Sequence, residues 1–308
     1  MAEPVRAARP LCAEVAASAG EPLGATASYA THWILVEYAG YWPHDPLDAT
    51  VFAGTLREHL TDSLRRLPHS KLILVRRPGR ARRERVRLFY GGTPERGFRF
   101  RTLQLERHPD LLELDLAGAL LGETPPPGEP LDHPLLLVCT HGKRDRCCAR
   151  YGQALCAALH RRAPAGWVWQ ASHVGGDRFA GNVVCMPEGL YFGRVGRRDV
   201  DELLAAYLEG RIELERYRGR SCYPFPVQAA DIEVRRRTGL TGVTDLRVLG
   251  RTRIGEDRWL VEVLAELAGD RYEVEVAVEL GAEEYLTCHA PVRRRPRHFV
   301  ARSCRLLT

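Results

Sequence analysis

The sequence predicts an α/β fold in which a unit of strand, helix, strand and strand occurs twice, followed by a small α+β unit with an antiparallel sheet. Three observations carry this. Short apolar runs at 33–37, 71–75 and 85–90, and again at 135–139, 167–170, 182–186 and 190–194, have the length and composition of buried strands. A helical stripe interrupts each set: Phe52, Leu56, Leu60, Leu64 and Leu67 in the first, Leu155, Ala158 and Leu159 in the second. Beyond about residue 217 the pattern becomes alternation broken by Gly-Asp and Gly-Glu-Asp turns.

In order, residues 1–30 lack periodicity and read as an irregular lead-in. Trp33 to Glu37 is the first strand, followed by the aromatic loop Tyr38 to Pro46. The helix over 52–67 stops at Pro68, which cannot continue it. Lys71 to Val75 and Arg85 to Tyr90 are the next strands, and Leu112 to Leu116 reads as a short edge strand. Gly122-Glu-Thr-Pro-Pro-Pro-Gly-Glu-Pro130 is stiff, polar and unfit for a sheet interior, so a boundary is expected there. The second unit follows: a strand at 135–139, a helix over Tyr151 to Arg162, a strand at 167–170, and a hairpin across Pro187-Glu-Gly189. A helix from about Arg198 to Leu208 takes Asp199 as its N-cap. Ala229 to Arg237 is helical, and strands are expected at 246–249, 259–263, 272–278 and 285–288. The expected organisation is thus 1–121, 131–215 and 217–308, with chemistry only in the middle unit.

The 308 residues are 45% hydrophobic and 27% charged, ordinary for a water-soluble chain. No apolar run reaches the roughly 18 residues a membrane span needs, and Met1 to Arg6 shows no secretory signal. A cytoplasmic location is expected. Nine cysteines in a reducing compartment point to metal or redox chemistry rather than disulfides. Cys139, Cys147, Cys148 and Cys156 crowd one segment. The scattered Cys12, Cys185, Cys222, Cys288 and Cys304 read as small buried hydrophobes. The net charge of +6 is almost all arginine, since Lys71 and Lys143 are the only lysines. The runs Arg76 to Arg85 and Arg293 to Arg295 come with no nucleic-acid signature and read as solvated faces, or as contacts for an acidic redox partner.

Two loops hold the chemistry. Cys139-Thr-His-Gly-Lys-Arg-Asp-Arg-Cys147-Cys148 joins a strand end to a helix start, and Ser172-His173-Val-Gly-Gly-Asp177-Arg178-Phe-Ala-Gly-Asn182 follows the next strand. A helix N-terminus together with Lys143, Arg144 and Arg146 favours thiolates, the metal-binding form. His173 and Asp177 stand at i, i+4 across Gly175-Gly176, which argues for a wrapping loop rather than a helix. Cys156 and Cys185 read as core.

Here the sequence resembles the sucrase/ferredoxin-like family. The resemblance rests on Cys-x-His-Gly-x-Arg-Asp-x-x-Cys at 139–148, His-x-Gly-Gly-x-Arg-Phe-Ala-x-Asn at 173–182 and the lead-in Glu21-Pro-Leu-Gly-Ala-Thr-Ala, and it covers roughly residues 11–210. The doubled strand–helix–strand–strand pattern by itself suggests a duplicated thioredoxin-like half-fold, and the resemblance implies a thioredoxin-like ferredoxin holding a [2Fe–2S] cluster. It further implies Cys139 and Cys148 as thiolate ligands of one iron and His173 as an imidazole ligand of the other. Some members carry a second histidine where this chain has Asp177. An aspartate ligand makes the core more negative and returns part of the rise in potential that histidine ligation gives. The alternative pairs Asp177 with Arg178 and leaves Cys147, Cys185 or water as fourth ligand. Around the cofactor the reading places four further side chains. His141 hydrogen-bonds a cluster sulfur or closes its own loop, Arg144 pairs with Asp145, Arg178 lies beside Asp177, and Asn182 satisfies loop backbone.

The implied function is one-electron transfer to or from a partner protein, with neither nucleic acid nor membrane involved and no catalytic residue. Two other classes compete. Thiol chemistry would use Cys147, Cys148 or Cys139, but no Cys-x-x-Cys motif exists and vicinal cysteines make a strained pair. A phosphatase-like Cys-x5-Arg loop fails because Asp145 occupies the arginine position. A structural zinc site could use the same four groups. No carboxylate pair suited to glycoside cleavage is evident.

Overall fold

The structure, a computed structural model, describes residues 9–79 and 85–307. Helix α1 spans Cys12–Ser18. The first repeat follows as β1 (His32–Glu37), α2 (Thr55–Arg66), β2 (Ser70–Arg76), β3 (Val86–Gly92), β4 (Arg99–Leu105), α3 (Leu116–Leu121) and β5 (Glu129–Pro130). The second is β6 (Leu135–Cys139), α4 (Arg146–Arg162), β7 (Val168–Ala171), β8 (Val183–Met186), β9 (Leu190–Phe192), α5 (Val200–Leu208) and β10 (Tyr217–Arg220). Then come α6 (Phe225–Thr238), β11 (Leu246–Gly255), β12 (Arg258–Ala265), β13 (Asp270–Leu280) and β14 (Arg297–Leu307).

All of β1 to β10 belong to one sheet, in the order β10-β9-β8-β6-β7-β2-β1-β3-β4-β5. The order reads identically outward from the central β7–β2 pair: β2-β1-β3-β4-β5 on one side, β7-β6-β8-β9-β10 on the other. Within each half the helix-linked strands are parallel (β1 with β2, β6 with β7) and the third strand runs antiparallel to the first. The seam is antiparallel and short, pairing Val75 with Ala171 and Arg76 with Gln170.

Strands buried on both faces explain the near-continuous apolar runs. In β1, Ile34 and Val36 pack with Phe52, Leu56 and Leu60 of the α2 side, while Trp33 and Leu35 face the opposite way. In β6, Leu136 and Val138 pack with α4 and α5, while Leu135, Leu137 and Cys139 join Trp33 and Leu35 in a core that both halves share. The sheet curls around this shared core, and Cys139 and Cys148 lie in it.

Several local expectations are corrected. Leu112 to Leu116 is no strand: a 3₁₀ turn covers His108–Glu113, and Asp115 caps α3 by accepting from the Gly118 amide at 2.9 Å. Pro109, early in that turn, fixes a helical φ where the alternation of leucines and acids suggested extended chain. The lead-in carries α1. Helix α4 starts at Arg146 rather than Tyr151, because buried Asp145 caps it through the Cys147 amide at 2.8 Å. Asp199 precedes α5 but makes no side-chain cap. Its carboxylate accepts from Gly196 N and Arg216 instead. Tyr285 to Cys288 is loop, flanked by a single bridge between Glu284 and Arg294, and the fourth C-terminal strand is β14.

The C-terminal strands form a separate antiparallel sheet, β11-β12-β13-β14. Helix α6 packs on it through Val227, Ala230 and Val234, and reaches the core under β6 to β9 through Ile232. Among the described residues no helix is long and apolar enough to cross a membrane. Of the arginine run, Arg80, Arg82 and Arg83 lie outside the described residues. Arg76 stacks on Trp42 and Arg77 on Trp169.

Candidate metal centre

The two loops meet at the sheet seam. Cys139 ends β6, and Cys148 sits in the first turn of α4, both essentially inaccessible to solvent. Helix α4 can pass this close only because residue 152 is glycine: a Cβ there would stand 1.9 Å from the Cys139 carbonyl oxygen. His173 follows β7, and its loop turns through Gly175 and Gly176, both at positive φ (107° and 82°). The ligand atoms of Cys139, Cys148 and His173 lie within 4.8 Å of one another. Asp177 closes the group: its Oδ1 is 3.2 Å from Cys148 Sγ and 3.0 Å from His173 Nδ1. All four residues expected to meet are therefore brought together.

The second loop is pinned from outside. The Val174 carbonyl accepts from Ser28 Oγ (2.9 Å), Lys71 Nζ (2.8 Å) and Tyr191 Oη (3.1 Å), and its amide faces Cys139. Ser172 pairs with Leu74 of β2 through both its amide and its hydroxyl. Arg218 of β10 donates through Nη1 to Gly175 O (3.0 Å) and Asn182 Oδ1 (2.8 Å), and Asn182 Nδ2 donates to Gly176 O (2.8 Å). A Cβ on Gly176 would strike the Arg218 guanidinium.

The four side chains of the pocket set one another's protonation. The hydrogen bond from Cys148 and the neighbouring His173 hold Cys139 well below the ordinary thiol range, as a thiolate. Cys148, hydrogen-bonded to Cys139, buried and beside Asp177, is pushed up and keeps its proton. Burial opposes a charge on His173, but the Asp177 carboxylate and the Cys139 thiolate beside the ring outweigh it and raise the imidazole to about 9. Burial likewise opposes ionisation of Asp177, and contact with His173 prevails to lower it. Even so, His173 Nδ1 is buried and, although 3.0 Å from Asp177, makes no aligned hydrogen bond. An orphaned ring nitrogen beside two sulfurs and a carboxylate suits a metal ion, which would displace the protons on His173 and Cys148.

Two cations face the pocket without a direct ion pair. Arg218 is 1% exposed, and among the described residues neither it nor the half-buried Lys71 forms an ion pair with a carboxylate. Neither residue belongs to either loop motif. Only the fold brings β2 and β10 against the His173 loop.

Other expectations resolve individually. The His141 ring is buried, with Nε2 at 3.3 Å from Trp42 O, and its carbonyl accepts from the amides of Arg144 and Asp145, so it closes its own loop. The Arg144–Asp145 pair does not form: Arg144 lies against the His44 ring, and Asp145 points inward as a cap. Arg178 pairs with Glu21 at 2.7 Å rather than with Asp177. Cys156 and Cys185 are in the helix-side core. Cys147 turns away from Cys148 toward Cys12 and Cys288.

A profile of sucrase/ferredoxin-like proteins matches residues 22–219. The chain belongs to the sucrase/ferredoxin-like family. The matched span covers the ten-stranded sheet up to its last strand and both ligand loops, and stops before α6 and the C-terminal sheet. The chain is also 36% identical over 95 residues to a protein called Altered inheritance of mitochondria protein 32 from Meyerozyma guilliermondii. That alignment covers 28% of this chain and 34% of the other protein, so the chain spans about a third of this relative. No solved structure matches it.

Proposed function

We infer that the pocket of Cys139, Cys148, His173 and Asp177 holds a [2Fe–2S] cluster and that the protein is a one-electron carrier. The observation that carries this reading is the pairing of a sulfur, nitrogen and oxygen donor set with two cations that have no other counter-charge. Two ferric irons and two sulfides make a core of formal charge plus two. Two thiolates and the Asp177 carboxylate bring it to minus one, which Arg218 and Lys71 are placed to offset. Bound there, the cluster would supply a site that takes up and releases single electrons. The chain's own part is to fix the ligands. Gly152 lets α4 press Cys148 against Cys139, and the donors on Val174 O and Gly175 O hold the His173 loop closed over them.

The half-fold, β-α-β followed by β-β in the order 2-1-3-4, corresponds to a thioredoxin-like arrangement used twice. The first copy then has no ligands, and its loops serve as walls: the Tyr38–Pro46 loop supplies Trp42 and His44 against the cysteine loop. A cytoplasmic location and a redox partner with an acidic face, meeting Arg76, Arg144 and their neighbours, belong to the same reading. A single zinc ion is the second reading, because three ligand atoms within 4.8 Å also suit one tetrahedral ion.

Anaerobic purification with iron and acid-labile sulfide analysis, then EPR of the dithionite-reduced protein, tests the proposal. Two irons and two sulfides per chain are expected. Cys139→Ser should abolish them, and His173→Ala and Asp177→Ala should shift the EPR g-values. A colourless protein with one zinc lost on Cys139→Ser selects the second reading.

A further inference from the structure

Adjacent cysteines on a helix diverge by about 100°, and here they serve two pockets. Cys148 faces the centre just described. Cys147 faces Cys12 of α1 and Cys288 of the loop before β14, residues 135 and 141 positions away in sequence. The three sulfurs form a triangle with edges of 3.5 Å (Cys12–Cys147), 3.4 Å (Cys147–Cys288) and 3.7 Å (Cys12–Cys288). Asp145 lies over it with both carboxylate oxygens 3.7 Å from Cys12 Sγ. All four residues are buried, Asp145 completely.

We propose that Cys12, Cys147, Cys288 and Asp145 form a second, structural metal site that takes one zinc ion. Sulfurs of a tetrahedral site with Zn–S near 2.3 Å stand about 3.8 Å apart, so the triangle needs to open by only a few tenths of an ångström. A closed site requires four protein ligands, and the carboxylate supplies the fourth. Asp145 also accepts from the Cys147 amide (2.8 Å) and the Cys288 amide (2.7 Å), which orients both cysteine-bearing segments. The Ala13 amide donates to Cys147 Sγ at 3.4 Å, a contact that favours a thiolate. Three thiolates and a carboxylate leave the loaded site negative. Cys147 sits in the first turn of α4, where the free N–H groups and the dipole of the helix favour negative charge. A disulfide is a poorer use of the same atoms: three thiols leave one unpaired, and the S–S bond would have to shorten to about 2.05 Å.

The site would join the chain's first helix, the cysteine loop and the C-terminal loop at one point. Two of those segments carry little regular structure of their own. Helix α1 has seven residues, and the 281–296 loop contains one isolated bridge. Joining segments so distant in sequence gains most from such a clip.

The experiment is metal analysis of the full-length protein together with Cys12→Ser, Cys288→Ser and Cys139→Ser. One zinc per chain is expected in the parent and in Cys139→Ser, and none in Cys12→Ser or Cys288→Ser, whose iron and sulfide content should stay at the parent's. Titration of chelator-stripped Cys139→Ser protein, whose first pocket lacks one thiolate, with Co²⁺ should give the strong charge-transfer bands of a three-thiolate site and tetrahedral d–d bands, and Cys12→Ser/Cys139→Ser should lose them. Zinc retained by both Cys12→Ser and Cys288→Ser overturns the proposal, as does a disulfide among these cysteines in the intact mass of the parent. Zinc lost only in Cys139→Ser also overturns it and places the ion in the first pocket instead.

Discussion

Replacing Arg218 with methionine measures how much the second loop depends on a buried cation. The side chain is 1% exposed and makes four hydrogen bonds: to Thr26 Oγ1, Thr26 O, Gly175 O and Asn182 Oδ1. Hydrogen bonds from a charged donor contribute about 1.5–3 kcal/mol each, so four are worth at least about 6 kcal/mol. Against this stands burial, the chief reason its pKa falls from 12.5 to about 10. At about 1.4 kcal/mol per unit, that is about 3 kcal/mol opposing the charge. The net loss expected in metal-free protein is about 3 kcal/mol, read as a lower urea midpoint with unchanged slope. In iron-loaded protein the loss should be similar, because the pocket carries a net charge of minus one in both forms: the Cys139 thiolate, His173 imidazolium and Asp177 carboxylate without metal, the ligated core with it. Arg218→Lys, which keeps the charge but not the planar fork, should fall between. A loss under about 1 kcal/mol in both forms would refute the clamp. A loss that differs several-fold between the two forms would refute the charge argument while leaving the clamp intact.

Two further substitutions test the frame. Gly152→Ala should gain about 1 kcal/mol of helix propensity and lose more, since its Cβ would meet Cys139 O at 1.9 Å. The variant should be less stable than the parent in urea and bind less iron, and a stabilised variant with full iron would refute the close approach. Glu188 has its pKa raised by burial, and its Oε2 accepts from Tyr207 Oη at 2.7 Å. A carboxyl raised in the folded state supports folding fully below its unfolded pKa, and that support fades as pH rises through the folded value. Glu188→Gln, which keeps an acceptor for Tyr207, should match the parent below about pH 4.5, the ordinary glutamate value, and exceed it near neutrality. Urea midpoints across that range check the sign, and a constant difference would refute it.

How much was legible in the chain follows from what local pattern can encode. Strands β1, β2 and β6 are buried on both faces, so continuous apolar runs announced them, and the repeat of those runs announced the doubled topology. Strand β4, Arg-Phe-Arg-Thr-Leu-Gln-Leu, and β14, Arg-His-Phe-Val-Ala-Arg-Ser-Cys-Arg-Leu-Leu, are half solvated and rich in arginine, and the charge masked their alternation. The four residues of the first pocket were legible because two glycine-bearing loops carry them at recognisable spacing. Arg218 and Lys71 were not, because each is an isolated cation whose meaning depends on a strand neighbour far away in sequence. Cys12 and Cys288, read as small hydrophobes, show the same limit: 276 residues separate them, and no periodicity relates them. The buried cap at Asp145 had a local signal, an Asp two residues before the vicinal cysteines. The adjacent Arg144 obscures that signal by offering an equally local charge pair, which the fold does not form.

Helix α6 has a consequence for where this protein can be cut. Its residues Val227 to Ile232, Val234 and Arg235 are buried on every side, and Arg235 forms a fully enclosed ion pair with Asp231 at 3.0 Å, with Tyr217 of β10 completing the group at 3.2 Å. Truncation after Gly239 would strip the four-stranded sheet from one flank of that helix and bare its apolar residues to water. A protease nick in the exposed turn at Gly255–Asp257 would leave the same helix wedged between both sheets. The shortened chain is therefore expected to aggregate, whereas the nicked one should hold together until denatured.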